Sequence, residues 1–293
     1  MSDETVHKGF GLSVATLSQR VHTFFDMSWK TILEYSRYPV AFIAMFAQIF
    51  LIVFMFIFAT MAFRAPGEGL TGQTTFAGVM IYGTVTNLLL TFTLWDVGFS
   101  IREEQVRGTL ESLYLSPAKK FANLVSRVFI VLLWTGVMCV FAVLVVAAVV
   151  GGLPFDNALL AGVVLGFSIS GFLGIGFIFA GLTIKLKESA QLLVNAAQFF
   201  FMIFSAQFFP FAALRSISPA VVDYVSAWLP VSYCVDAFRS LLVGLPAGYP
   251  ELAPLSVEIP IVVVFGIVSP VVGYLIYKRA ERSARRKGNL GEY

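Results

Sequence analysis

Charge is scarce in this chain. Only 13% of its 293 residues are Asp, Glu, Lys or Arg, about half the share of a soluble domain, and 58% are hydrophobic. Such a chain cannot bury its apolar surface in one water-solvated core, and it reads as an integral membrane protein. Histidine and cysteine are scarcer still, with two of each. Cys139 and Cys234 give neither a disulfide framework nor a metal spacing. Two histidines assemble into no Ser-His-Asp arrangement, and His22, with no partner pattern around it, reads as a surface residue. No His-Glu-x-x-His or Cys-x-x-Cys motif occurs. Gly67-Glu68-Gly69-Leu70-Thr71-Gly72 fits a dinucleotide fingerprint by letter, but no strand precedes it. Gln73 stands where a phosphate-binding lysine would be. The chain is therefore expected to bind no cofactor or metal and to hold no catalytic centre. The start of the chain lacks the charged, apolar and small-residue pattern of a signal peptide.

What is present is six runs free of charge: Val40–Phe63, Gly69–Trp95, Val128–Phe155, Asn157–Ile184, Ser189–Leu214 and Ile259–Tyr277. Each approaches or exceeds the ~20 residues that cross a hydrocarbon core. A charge at the centre of such a helix costs about 3 kcal/mol, which accounts for the clean runs. The absence of carboxylates from them argues against a proton-driven carrier. Ahead of the first run, Val14, Leu17, Val21, Phe24, Phe25 and Ile32 form an apolar stripe. Gln19, Arg20, His22, Asp26 and Lys30 lie opposite, as in an interface-lying amphipathic helix.

The cations fix an orientation. Lys8, Arg20, Lys30, Arg37, Arg102, Arg107, Lys119, Lys120, Arg127, Lys185, Lys187 and the six from Lys278 to Lys287 fall on one side. Only Arg64, Arg215 and Arg239 fall on the other. The positive-inside rule then puts both termini in the cytoplasm of a multi-pass protein of the cell membrane, with Asp96 at the cytoplasmic interface. The basic tail, 278–293, suits anionic lipid, at about 1 kcal/mol per cation, better than nucleic acid. The layout is an all-α membrane protein: residues 1–38 with the interface helix, a six-span domain over 39–277, and the tail.

Three segments stand out within that domain. Arg102 to Pro117 is the densest polar stretch between two apolar runs. At helical spacing Val106, Leu110 and Leu113 share one face, Glu104, Arg107 and Glu111 lie elsewhere, and Pro117 ends the turn. This reads as a short amphipathic helix outside the membrane, with a solvated loop as the plainer alternative. The fourth run carries Gly162, Gly166, Ser170 and Gly174 at intervals of four, a stripe that lets helix backbones approach closely. Packing within the bundle is preferred here to dimerisation. Phe211 to Pro254 is apolar but broken by Arg215, Asp223, Pro230, Asp236, Arg239 and Pro246. Ser218-Pro219 is a helix start and Gly244 a helix stop. Two helices of about ten to fourteen residues are too short to cross and should dip into the outer leaflet, shielded by protein. Asp236 and Arg239, three apart, could pair.

Two of these segments resemble one family. Glu103-Glu104, Gly108-Thr109-Leu110-Glu111, Leu113 and Ser116-Pro117 resemble the cytoplasmic coupling segment of ABC-2-type exporter permeases. Leu229-Pro230, Tyr233, Ala237 and Arg239 resemble the re-entrant helical hairpin that precedes the last span of those permeases. The resemblance implies a coupling helix (101–117) after the second span, with Arg102, Glu103, Glu104, Val106, Gly108, Thr109, Leu110, Glu111, Leu113, Ser116 and Pro117 docking into an ATPase subunit. It implies a hairpin (211–250) built on Pro230, Asp236 and Arg239. It also implies two ATPase subunits, which hold ATP and Mg, and a second permease copy, as a homodimer. Substrate would pass outward between the permeases.

The substrate is less legible. Phe199, Phe200, Phe201, Phe204, Phe208 and Phe209 crowd the fifth run, and Phe76, Tyr82, Phe92 and Trp95 mark the second. Phe76, Tyr82, Phe204 and Phe208 are the candidate path residues, with Asn87, Asn195 and Gln198 for hydrogen bonds. Packing against protein or lipid is the commoner use of such residues. The uncharged lining suits a hydrophobic or amphipathic drug or lipid. A lipid-linked glycan is the alternative, and a membrane scaffold or enzyme without transport is the alternative of another class. The orientation is checked by single cysteines. At Glu68 and Asp156 they should react with an impermeant thiol reagent added outside sealed cells. At Glu104 and Lys187 they should not, and outside labelling at Glu104 reverses the topology.

Overall fold

The computed structural model describes residues 70–99, 132–133, 135–137, 139–148, 153–186, 189–245 and 248–286. It also describes single helical positions between 33 and 58. The expected interface helix, the stretch 101–117 and the end of the basic tail lie outside the described residues.

Every regular element among the described residues is a helix. Helix α1 is Leu70–Phe92 and continues through a π-helical turn, Thr93–Val97. Thr135–Ala148 is a shorter apolar helix. Helix α2 is Ala158–Leu186 and α3 is Ala190–Phe204. A broken limb follows, α4 (Phe211–Ile217), α5 (Pro219–Tyr224) and a 3-10 turn at Ser226–Trp228. Helix α6 is Pro230–Val243 and α7 is Leu255–Arg286. Three helical stretches are long and apolar enough to cross a membrane: Phe76–Val97, Ala158–Ile184 and Leu255–Ala284. In lipid a backbone must satisfy its own polar groups, and helices do so within one segment.

The fifth run, expected as one span over Ser189–Leu214, is not one helix. Helix α3 has 15 residues, about 22 Å at 1.5 Å per residue, short of a ~30 Å hydrocarbon core. It stops at Ser205, and Ala206 takes a left-handed φ of 47°. Pro210 then caps α4 in extended conformation. The run carries no charge, so composition alone could not show the break. The hairpin differs from two limbs of ten to fourteen residues in a similar way. Its first limb is split at Ser218-Pro219, where Pro219 occupies the first turn of α5. Its second limb, α6, has 14 residues and ends at Gly244 with φ 85°, as the sequence indicated. The last helix is longer than Ile259–Tyr277, taking in Glu258 at one end and Lys278, Arg279 and Arg282 at the other.

Helix α1 lies at the centre, with 83% of its apolar window buried, whereas only 17% of the α7 window is. Val264, Ile267, Val268, Val271 and Leu275 of α7 are exposed, an apolar face suited to lipid. So are Ile43, Phe50, Phe54 and Phe58 of the first run. The opposite face of α7 packs on α2 through small residues. A Cβ on Gly174 would stand 2.2 Å from the Ser269 carbonyl carbon, and one on Gly273 would stand 2.1 Å from the Gly174 oxygen. Ser170 Oγ donates to Gly266 O at 2.7 Å, and Ser269 Oγ to Gly171 O at 2.8 Å. Only the later part of the expected glycine stripe serves this contact. A Cβ on Gly162 or Gly166 would meet nothing within 4 Å.

Gly174→Ala should therefore lower stability by about 1–3 kcal/mol through overpacking. Gly162→Ala should be neutral or stabilising by up to about 1 kcal/mol from helix propensity. Thermal unfolding in detergent decides, and equal midpoints for the two variants would remove the close α2–α7 contact.

Candidate functional site

The fully buried charged side chains among the described residues, Asp236, Arg239 and Glu258, gather where α6 meets the loop after α3 and the start of α7. Helix α6 forms because Pro230 fits the first turn, where no backbone N–H is needed, and eleven apolar or small residues follow to Gly244. Its far end is joined to α2: Asp156 N donates to Leu242 O and Asn157 N to Leu241 O, at 3.2 and 3.1 Å. The last carbonyls of a helix lack partners within it, and the chain entering α2 supplies two. At Gly244 a side chain would collide with the Asp156 carboxylate.

Arg239 is the largest fully buried side chain. It donates Nη2–H to Ala206 O at 2.7 Å and Nη1–H to Phe209 O at 3.1 Å. These are carbonyls of the irregular loop between α3 and α4, which would otherwise be short of donors at this depth. The loop rests on α1. A Cβ on Gly83 would fall 2.0 Å from the Gln207 carbonyl oxygen, so backbone meets backbone there. One turn on, Asn87 donates to the Gln207 side chain.

Asp236, also fully buried, uses Oδ2 to accept from Glu251 N at 2.7 Å and Leu252 N at 2.8 Å. The Glu251 carboxylate accepts from the N–H groups of Phe211 and Ala212, and thereby starts α4. Burial pushes the Glu251 carboxyl above its ordinary value, and those N–H donors oppose the shift. Asp236 and Arg239, expected as a pair, direct these hydrogen bonds to different backbone segments. They interact as neighbouring opposite charges, with Glu251 as a second acid acting on Arg239.

Glu258 was missed from sequence. It stands one residue before the sixth charge-free run, yet it lies in the first turn of α7 and is fully buried. Gln207 was missed as well, as an uncharged residue in an apolar run. Burial of a polar side chain beside a loop break has no one-dimensional signature.

The candidate path residues occupy separate settings. Phe76 is partly exposed near the start of α1. Tyr82 is buried between Phe155 and Phe238, edge to face, and gives its hydroxyl to Pro154 O at 2.5 Å. Phe204 ends α3, with its ring 4.8 Å from that of Phe200. Phe208, half-buried, follows in the loop. Trp95, in the π turn, donates to Gln198 of α3 at 2.8 Å and so ties the end of α1 to α3. The coupling residues from Arg102 to Pro117 lie outside the described residues. No group of His, Cys, Asp and Glu among the described residues could hold a metal ion.

A family model described as ABC-2 family transporter protein matches residues 68–275, which covers both the polar stretch after α1 and the whole hairpin. No curated protein matches the chain.

Removing the Arg239 guanidinium should leave two buried carbonyls and the Asp236 charge uncompensated. Arg239→Met should cost several kcal/mol, since breaking a buried charge set typically costs about 3–5 kcal/mol. Arg239→Lys should restore only part, because one ammonium cannot fork between two carbonyls. Thermal midpoints in detergent read this out, and a fully stable Arg239→Met protein would deny the guanidinium its role.

Proposed function

Because the chain belongs to the ABC-2 family of transporter proteins, we propose that it is the permease half of an ATP-driven exporter of hydrophobic or amphipathic compounds. The family is a membrane transport component and not itself catalytic, so hydrolysis falls to a partner ABC ATPase. The observation that carries the reading is the family match over residues 68–275, which takes in 102–117 as well as the long apolar helices.

In this reading the ATPase binds Val106, Leu110 and Leu113, with Glu104, Arg107 and Glu111 setting register. Two permease copies enclose the route. ATP-driven approach of the ATPases pushes on 102–117, and the push passes into α1, the most enclosed of the three long apolar helices. The π turn at Thr93–Val97 lies between them. It is held to α2 by Thr183 Oγ1 donating to Gly98 O at 2.9 Å and to α3 through Trp95. Such turns are frequent at functional points of helices, and this one offers a route from the cytoplasmic stretch to two other helices. A drug or lipid as cargo is supported by the uncharged surface of these helices and by exposed Phe199 and Phe200 on α3.

Reconstitution with the cognate ATPase tests the reading. Hydrophobic drugs or lipids should stimulate hydrolysis, and simple sugars or ions should not. Phe204→Ala or Phe208→Ala should alter that stimulation more than Phe54→Ala. The double variant Leu110→Asp/Leu113→Asp should stay in the membrane but hydrolyse ATP without export, since a charge buried without a partner costs several kcal/mol. Normal transport by the double variant would reduce 102–117 to a solvated loop. Stimulation by a glycan carrier alone would change the cargo.

A further inference from the structure

Two carboxyl groups meet where the hairpin helix joins the last long helix. Asp236 lies on α6 and Glu258 in the first turn of α7, and both are fully buried. Three consecutive residues hold them side by side: the N–H groups of Glu251 and Leu252 reach Asp236, and that of Ala253 reaches Glu258. One oxygen of each has a donor. Asp236 Oδ2 takes the N–H groups of Glu251 and Leu252, and Glu258 Oε1 takes Ala253 N–H at 3.3 Å. The other oxygen of each, Asp236 Oδ1 and Glu258 Oε2, has none.

An ionised carboxyl offers acceptors only. Two ionised carboxyls in contact would leave two acceptors and two like charges facing each other away from water, an arrangement that like-charge pairs relieve by keeping a proton. One proton resolves both problems. It gives one acid an O–H to donate and the other a bond to accept, and it leaves Asp236, Glu258 and Arg239 with no net charge. The surrounding titratable groups do not replace it. Arg239, on α6, spends two N–H groups on Ala206 and Phe209. Glu251 and Tyr249, in the connection to α7, are an acid and a phenol, and Glu251 has donors of its own. Tyr233 on α6 donates to Ala227 O, and Cys234 on α6 engages Ser168 of α2. On α1, Tyr82 is committed to Pro154.

We propose that Asp236 and Glu258 bind one proton between them, and that this proton is the ligand latching the hairpin helix to the last long helix. The step is a simple dissociation: one O–H bond breaks, the proton passes to water, and no electron moves. Once it has left, the two carboxylates repel and the α6–α7 junction opens. Once the junction opens, the released proton has only a short way to water. From Glu258 to Lys278 is about 30 Å along α7 at 1.5 Å per residue, the thickness of the hydrocarbon core. With Lys278 at one boundary, Glu258 lies at the other.

The test uses the full chain in lipid nanodiscs, followed by hydrogen–deuterium difference infrared spectroscopy through an alkaline titration. A carbonyl band of a protonated carboxylic acid should be present at neutral pH and disappear as pH rises. It should be missing from Glu258→Gln, whose amide can donate to Asp236 without a proton, and missing or displaced in Asp236→Asn. The wild-type thermal midpoint should fall with rising pH, because the native state holds a proton that the unfolded chain releases. The Glu258→Gln midpoint should fall less. No acid band in the wild type, or a band that persists unchanged in both variants, overturns the proposal. If neither variant folds, the wild-type midpoint decides: a fall supports the shared proton and a flat profile rejects it.

Discussion

A guanidinium with no exposed surface holds together the part of the molecule that cannot be helical. The loop between α3 and α4 turns at Ala206 and leaves carbonyls that no helix ladder will satisfy. In a soluble protein, water would take them. Here Arg239 takes two of them, while Gln207 settles on Gly83 and Asn87. The same helix carries Asp236, which caps the backbone entering α7. Irregular backbone at membrane depth is tolerated only when it is buried in protein. Helix α6 provides that burial and the hydrogen-bond partners together. Charged residues are therefore few in this chain because most positions must avoid them, and the few within the hairpin are placed where backbone needs them.

How much of this could be read in advance depended on the kind of signal. Long clean runs announced α1, α2 and α7, because insertion penalties act on every residue of a span. Pro219 at a first turn, Pro230 at another and Gly244 as a stop were legible because proline and glycine act on their own backbone. The break in the fifth run was not. Ser205, Ala206 and Gln207 carry no charge, and what stops α3 there comes from Arg239, more than thirty residues later. Glu258 was hidden for the same reason. It stood one residue ahead of a clean run with no motif to mark it, and only the fold of the hairpin brings it against Asp236. The stripe of small residues in α2 was readable in kind but not in register. Ser170, Gly171 and Gly174 face α7, while Gly162 and Gly166 face open space.

The two kinds of contact divide the molecule mechanically. Between α2 and α7 the joint is close packing of glycine against backbone, reinforced by two serine hydroxyls. In lipid nothing replaces such contacts well when they separate, because tails cannot enter the groove that glycine leaves. The joints made by α6 are of another sort. To apolar packing along the helix they add hydrogen bonds from buried charged groups to backbone. Each of these groups is buried away from water, so parting one bond leaves a polar group unpaired. A glycine-packed α2–α7 pair thus stands beside a hairpin whose placement is set by directional bonds from Asp236 and Arg239 to the backbone on either side of it.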